Sequence, residues 1–231
     1  MSLLGAALDK AVTVPSASVH AHVATVRRRN PEADPQQLVR LLEKEYLGVV
    51  ATTGGAVGAA AAAPSIGTGV ATALTIGDVA TFFAASAAFA LAVASVHGID
   101  VQDAERRKAL LMATLLGEPG AALVGDAAGI TTTRVARTLL TRMPLGTVRR
   151  VNAQLARRLV KRQTVKQGSL ALGRLAPFGI GLLIGVVGGR ALGRTVVAGA
   201  RSAFGPAPER FSPTLELSPG TNPALPPGAP A

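Results

Sequence analysis

Few side chains in this chain are of a type that does chemistry, and their spacing sets the first limits. There are three histidines, His20, His22 and His97, and no cysteine. The absence of cysteine removes thiolate nucleophiles, cysteine-ligated metals and disulfides, and it fits a reducing cytosol. The His20-Ala21-His22 pair, with Asp9 or Asp34, comes nearest to a metal set. It supplies no recognisable shell of three or four ligands, so neither metal nor cofactor is expected. Serine and threonine are plentiful, yet no Gly-x-Ser-x-Gly elbow occurs, and no glycine-rich loop ends in Gly-Lys-Ser/Thr. Asp100, Asp103 and Glu105 stand together where a helix should begin, and there they complement its dipole. No catalytic residue is assigned, and a non-enzymatic protein is expected.

Two residues keep a functional reading beside a structural one. Asp78 is the one formal charge between Tyr46 and Ile99. An acid among apolar helices can couple its protonation to insertion in a membrane, because desolvation raises its pKa; the structural reading is a hydrogen bond to Thr75 or Thr81. His97 precedes a glycine at a helix end, where packing or capping is the structural reading.

The strongest chemical bias is electrostatic. The net charge is +11, and it is uneven. Residues 1–126 carry nine basic and eleven acidic groups, a balance of −2; residues 127–208 carry fourteen basic groups and no acid; the last 23 residues carry −1. A bias of that size concerns partners rather than fold. It points to an anionic surface, with Arg149, Arg150, Arg157, Arg158, Lys161, Arg162, Arg190 and Arg194 as the expected lipid-contacting groups. Nucleic acid would use the same charges. The chain has six Phe, one Tyr and no Trp, and it shows no aromatic stacking platform or zinc finger, so nucleic acid is not the expected partner.

The elements that must carry these groups read as helices throughout. Residues 2–10 form a short apolar helix, and Pro15 with the serines after it interrupts. Asp34 caps a helix that starts with Pro35 and runs to about Ala63. Pro64 to Gly67 breaks it, and a second long helix runs from about Gly69 to Val96, stopped by Gly98. Thr52, Ala56 and Ala60 are expected to face Ala84, Ala87 and Ala88 across the hairpin. A helix over 106–116, a turn at Glu118-Pro119-Gly120 and a helix over 121–140 follow. Leu145 to Val165 carries Val148, Val151, Leu155 and Leu159 on one side and arginines around the rest, a basic amphipathic pattern. The last helix begins near Pro177 and carries Gly181, Gly185, Gly189 and Gly193 four residues apart. With Gly54 and Gly58 these are the expected helix-packing positions, since small residues at that spacing let helices approach closely. The fold expected is all-α, a helical bundle around a long Ala/Gly-rich antiparallel hairpin. Its divisions are a partly helical N-terminal flank (1–34), a helical domain (35–204) and a Pro-rich disordered tail (205–231).

Val79 to Val96 is eighteen uncharged residues, just long enough to approach a membrane span. The hairpin has three candidate homes: across the bilayer, at its interface, or in the core of a soluble domain. The missing tryptophans weigh against a spanning protein with aromatic belts.

The arrangement Tyr46, Gly54-Gly55, Gly58, Pro64-Ser65-Ile66-Gly67, Asp78, His97-Gly98 resembles the EcsC protein family, and so does the stretch Pro177-Phe178-Gly179-Ile180-Gly181, Gly189-Arg190, Gly193-Arg194, Ala200-Arg201, Phe204-Gly205. The resemblance covers residues 20–212. Family members often have Tyr at the position of His97 and Asn at that of Arg190. The resemblance implies a bacterial, helical, membrane-associated protein of no established activity. The expected function is therefore a non-enzymatic, membrane-associated protein on the cytoplasmic face, its basic helices contacting anionic lipid or a membrane protein. A second copy of the chain is a further candidate partner. The alternative is a soluble cytoplasmic adaptor that binds another protein through the glycine ridge and the basic face.

Overall fold

In the computed structural model the described residues are 3–61, 68–129, 135–170 and 180–211, with side chains described over 5–56, 79–129, 135–161 and 186–211. Every regular element among them is a helix: α1 (Leu3–Ala11), α2 (Ser16–Arg29), α3 (Pro35–Ala61), α4 (Thr68–Val96), α5 (Ala104–Leu116), α6 (Glu118–Ala128), α7 (Val135–Thr141), α8 (Leu145–Leu170) and α9 (Ile180–Phe204). The architecture is the all-α bundle the periodicity predicts.

Local chemistry sets several boundaries. At the start of α3 the Gln37 amide donates to Asp34 Oδ1 at 2.7 Å, and the Asp34 amide donates to Gln37 Oε1 at 3.1 Å. This reciprocal pair satisfies two amides that the first helical turn leaves without partners. At the end of α4, Gly98 takes φ 69°; its amide donates to the Ser95 carbonyl, and the Ile99 amide donates to that of Ala94, both at 2.9 Å. That is the left-handed glycine cap expected of Gly98. Asp103 caps α5 by accepting from the Arg106 amide at 2.9 Å.

Three expectations are corrected. Residues 16–29 are helical: Pro15 sits just outside α2, where its missing amide costs no helical bond and its carbonyl accepts from Ser18 and Val19. The turn after α5 is Gly117 at φ 73°, with Pro119 inside the first turn of α6. The helix expected over 121–140 is two, because Gly129 takes φ 67° and ends α6.

The core is organised around α4, which touches α1, α2, α3, α5 and α9. From Phe83 onward most of its residues are buried, including every one from Phe89 to Val96. The flank preceding residue 35 contributes to the same core through Leu8, Val12, Val19, Val23 and Val26. Tyr46 of α3 stacks on Phe89 of α4, with ring centroids 4.7 Å apart. Its hydroxyl lies 2.8 Å from Ser86 Oγ in a buried pair. Burial pushes the Tyr46 phenol up to about 12, against the smaller opposing effect of Ser86.

Among the glycines whose surroundings are described, the close contacts are at Gly120, Gly189, Gly193 and Gly199. Thr52 and Ala56 are exposed, so they do not form the hairpin's inner face; Ala60 lies outside the described side chains. It is α9 that presses on α3. A Cβ at Gly189 would collide with the Val50 carbonyl oxygen, and one at Gly193 would lie 2.8 Å from Val50 Cγ2 and 2.9 Å from Leu47 Cδ2. Arg201 of α9 forks onto Glu43 of α3 at 2.7 and 2.5 Å. The pairs 43–201, 47–193 and 50–189 run α9 antiparallel to α3.

Candidate functional site

This register carries α3, α4 and α9 to the same end of the bundle. Beyond the level of Tyr46, α3 continues fifteen residues to Ala61. Beyond Ser86, α4 reaches back eighteen to Thr68, and beyond Gly193, α9 reaches back thirteen to Ile180. At 1.5 Å per residue each helix runs about 20–27 Å toward that end. The segments 47–61, 68–82 and 180–189 contain one formal charge, Asp78. Where side chains are described there, large apolar groups are left in the open: Val187 is 67% exposed, Val49 47% and Val79 37%, and Leu192, just outside these segments, is 48% exposed. Arg190 and Arg194 stand exposed on α9 just below.

Val79–Val96 in α4 is the stretch, among the described residues, long and apolar enough to cross a membrane, with mean hydropathy 2.0. Of that stretch 61% is buried inside the bundle. Its C-terminal half is thus core; exposed large apolar groups lie at the other end of α4 and on α3 and α9, and Leu145 and Val160 of α8 are exposed as well.

The basic face is on α8. Val148, Val151, Asn152, Leu155 and Leu159 are buried against α5 and α6, which leaves Arg149, Arg150, Arg157, Arg158 and Lys161 exposed. Among the described residues, none of the four arginines has an acidic partner within salt-bridge distance. Between α6 and α8 lies an open groove of about 680 Å³. Its polar lining is Thr147, Arg150, Gln154, Arg157, Arg158 and Asp126; Leu123, Ala127 and Val151 supply its apolar part.

The other basic groups of the fold are differently used. Arg107 is buried; its Nε donates to Val101 O at 2.6 Å, Nη1 to Val14 O at 2.7 Å and Val12 O at 3.3 Å, and Nη2 to Ser16 Oγ. Val12 and Val14 follow the end of α1, so the guanidinium closes that C-terminus. Arg106 closes α7 by donating to Leu139 O at 2.5 Å and Met143 O at 2.8 Å. Arg137 donates to the carbonyl of His97, just past α4, at 3.0 Å. Cations at helix C-termini meet the negative end of the dipole as well as carbonyls lacking amide partners. Sequence reasoning missed these three. For Arg106 and Arg107 the available signal was an Arg-Arg pair directly behind the Asp103 cap of a short helix; Arg137 offered none.

His97 packs on Phe204, with ring centroids 5.1 Å apart. Burial pushes its imidazole down to about 4, with the Arg137 charge acting in the same sense. At neutral pH it is an uncharged ring at a helix end. His22 sits 3.0 Å from Glu45, and His20 is 4.0 Å from Asp100. The two histidines thus reach different acids, and no group of three or more metal-binding side chains forms among the described residues. Asp78 and Arg162 lie outside the described side chains, as do Gly58, Gly181 and Gly185; Gly54 is half-buried. Comparison with protein-family models, curated proteins and solved structures finds no match.

Proposed function

We propose that the protein is a non-enzymatic, membrane-associated helical protein of a bacterial cytoplasmic leaflet. In this reading the apolar end of α3, α4 and α9 meets the acyl boundary, and the arginines of α8 and α9 contact anionic headgroups. The resemblance to the EcsC family belongs to the same proposal. The carrying observation is the set Val49, Val79 and Val187, left exposed on segments with one formal charge, with the exposed Leu192 between Arg190 and Arg194 beside them. Covering each such side chain recovers on the order of 1 kcal/mol. The basic groups add about 1 kcal/mol each near an anionic surface. Arg190 and Arg194 can lie along the boundary with their heads in the headgroup layer. The burial of the C-terminal half of α4 favours shallow insertion of one end over a simple spanning helix. The adaptor alternative loses part of its surface, because Gly189 and Gly193 are already covered by α3.

Flotation with liposomes tests this reading. Binding should rise with the fraction of anionic lipid and fall when Arg157, Arg158, Lys161 and Arg162 are changed to Glu. Val187→Asp with Leu192→Asp should lower what remains at high salt, where only the apolar term survives. No binding at physiological salt overturns it.

A further inference from the structure

We propose that the groove between α6 and α8 is a binding site for a phosphomonoester, its phosphoryl group held by Arg150, Arg157 and Arg158. The first two are seven residues apart on one face of α8, two helical turns or about 10.5 Å along the axis. Gln154 lies between them and Arg158 beside them, all lining the same groove. Planar guanidinium forks match the oxygens of a phosphoryl group, and charge-assisted bonds of this kind are the strong ones.

Two features of the site support a ligand over a merely solvated face. The first is open donor capacity. Among the described residues Arg157 and Arg158 make no hydrogen bond or ion pair, and Arg150 donates only to Thr147, at 3.2 Å. Arg106, Arg107 and Arg201 in the same molecule each make two or more hydrogen bonds to protein groups. The second is the wall opposite. Asp126 is the one carboxylate lining the groove, and it forms no ion pair with the three arginines. Three guanidinium groups against one carboxylate leave the groove at +2. The Asp126 charge directs an anion to the α8 wall, and the apolar lining on Leu123, Ala127 and Val151 takes the uncharged remainder of the ligand. A space of about 680 Å³ holds more than bare phosphate.

This rests on the membrane reading only where the phosphomonoester arrives on a lipid; a soluble phosphate ester presents the same group. The full chain is therefore tested in two arms. In one, it is titrated with vesicles containing phosphatidic acid, a phosphomonoester lipid, and with vesicles of phosphatidylglycerol, a phosphodiester lipid, matched in surface potential. In the other, inorganic pyrophosphate is added and the melting temperature read. The expected result is about tenfold tighter binding to phosphatidic acid, from charge-assisted bonds the diester cannot make as fully. Pyrophosphate should raise the melting temperature and compete with those vesicles. Arg150→Gln with Arg157→Gln should bring the preference to about onefold. The charge-matched control Arg29→Gln with Arg142→Gln should keep it, and Asp126→Asn should increase it. Stabilisation by pyrophosphate with no vesicle binding keeps the groove and overturns the membrane reading. Equal binding to both lipids with no response to pyrophosphate overturns the groove and keeps the membrane reading. No response in either arm overturns both.

Discussion

Apart from the Arg27-Arg28-Arg29 run that ends α2, Arg-Arg pairs occur on α5 and α8, and those pairs do opposite work. Arg106 and Arg107 on α5 turn inward and close the C-termini of α7 and α1. Arg149-Arg150 and Arg157-Arg158 on α8 are exposed with no acidic partner among the described residues. The residue type is the same and the helices are neighbours. The difference is the supply of carbonyls. The turn after α1 and the end of α7 both point peptide oxygens at the start of α5, and a guanidinium there replaces water on them. Among the described residues no α8 arginine donates to a carbonyl; Arg150 donates only to the Thr147 hydroxyl. Basic residues in this fold therefore divide into those consumed by the structure and those left for an outside anion.

The largest test of that division is Arg107→Met. Methionine keeps much of the stem's packing but strands the carbonyls of Val12 and Val14 and leaves that of Val101 with only the long 3.4 Å bond from Ser16 Oγ. A loss of about 3 kcal/mol is expected, since each buried acceptor left without a donor costs about 1–3 kcal/mol and some of these will relax. Denaturant unfolding measures it. Vesicle binding by the folded fraction should not change. An Arg107→Met variant as stable as the parent would show that the buried guanidinium has no structural role.

A smaller effect reads the third capping arginine. His97 is held down to about 4 by burial first and by Arg137 second. Its unfolded value is near 6.5. The folded state thus binds fewer protons than the unfolded state between those two values, so stability rises with pH across the window. The contribution is complete above about 6.5 and is lost as pH falls toward 4. A fall of about 2 kcal/mol from pH 7 to pH 4 is expected from this group once the full linkage value of about 3 kcal/mol is reduced for solvent screening of the half-buried ring, and His97→Phe, which keeps the ring on Phe204, should remove it from the stability curve. In Arg137→Gln the NMR titration midpoint of His97 should rise only part of the way to 6.5, because burial remains. A return to 6.5 would make Arg137 the dominant cause.

The elements were legible in sequence where a local rule decides them. Asp34-Pro35 starts α3, His97-Gly98 ends α4, and Val148, Val151, Leu155 and Leu159 form the buried stripe of α8. What was not legible depended on a partner remote in sequence. The small residues of the hairpin and of α9 look alike, and nothing local says that Val50 lies against Gly189 rather than α4 against Thr52. Gly129 reads as a weak spot inside a helix, and its left-handed backbone is what makes it an end. Glu43, 158 residues from Arg201, gives no sign of pairing with it. The same limit hid the α6–α8 groove. The basic helix was visible, but the second wall needs Asp126 and Leu123 from another element.

The smallest expected change closes the comparison from the other side. Arg149→Gln with Arg158→Gln removes two exposed guanidinium groups that have no acidic partner among the described residues. Exposed substitutions away from caps and buried networks usually move stability by less than about 0.5 kcal/mol, and glutamine matches arginine in helix propensity. Relief of like-charge repulsion along an acid-free helix can make the change slightly favourable. The melting temperature should hold or rise by a degree or so, while binding to anionic vesicles falls by about two charges' worth, on the order of 2 kcal/mol. Stability and binding should thus move independently on α8 and separate in the opposite sense on α5. If the α8 variant instead melts lower by as much as the Arg107→Met variant does, its arginines are structural too, and the acid-free stretch after Ala127 loses its meaning as a surface for anions.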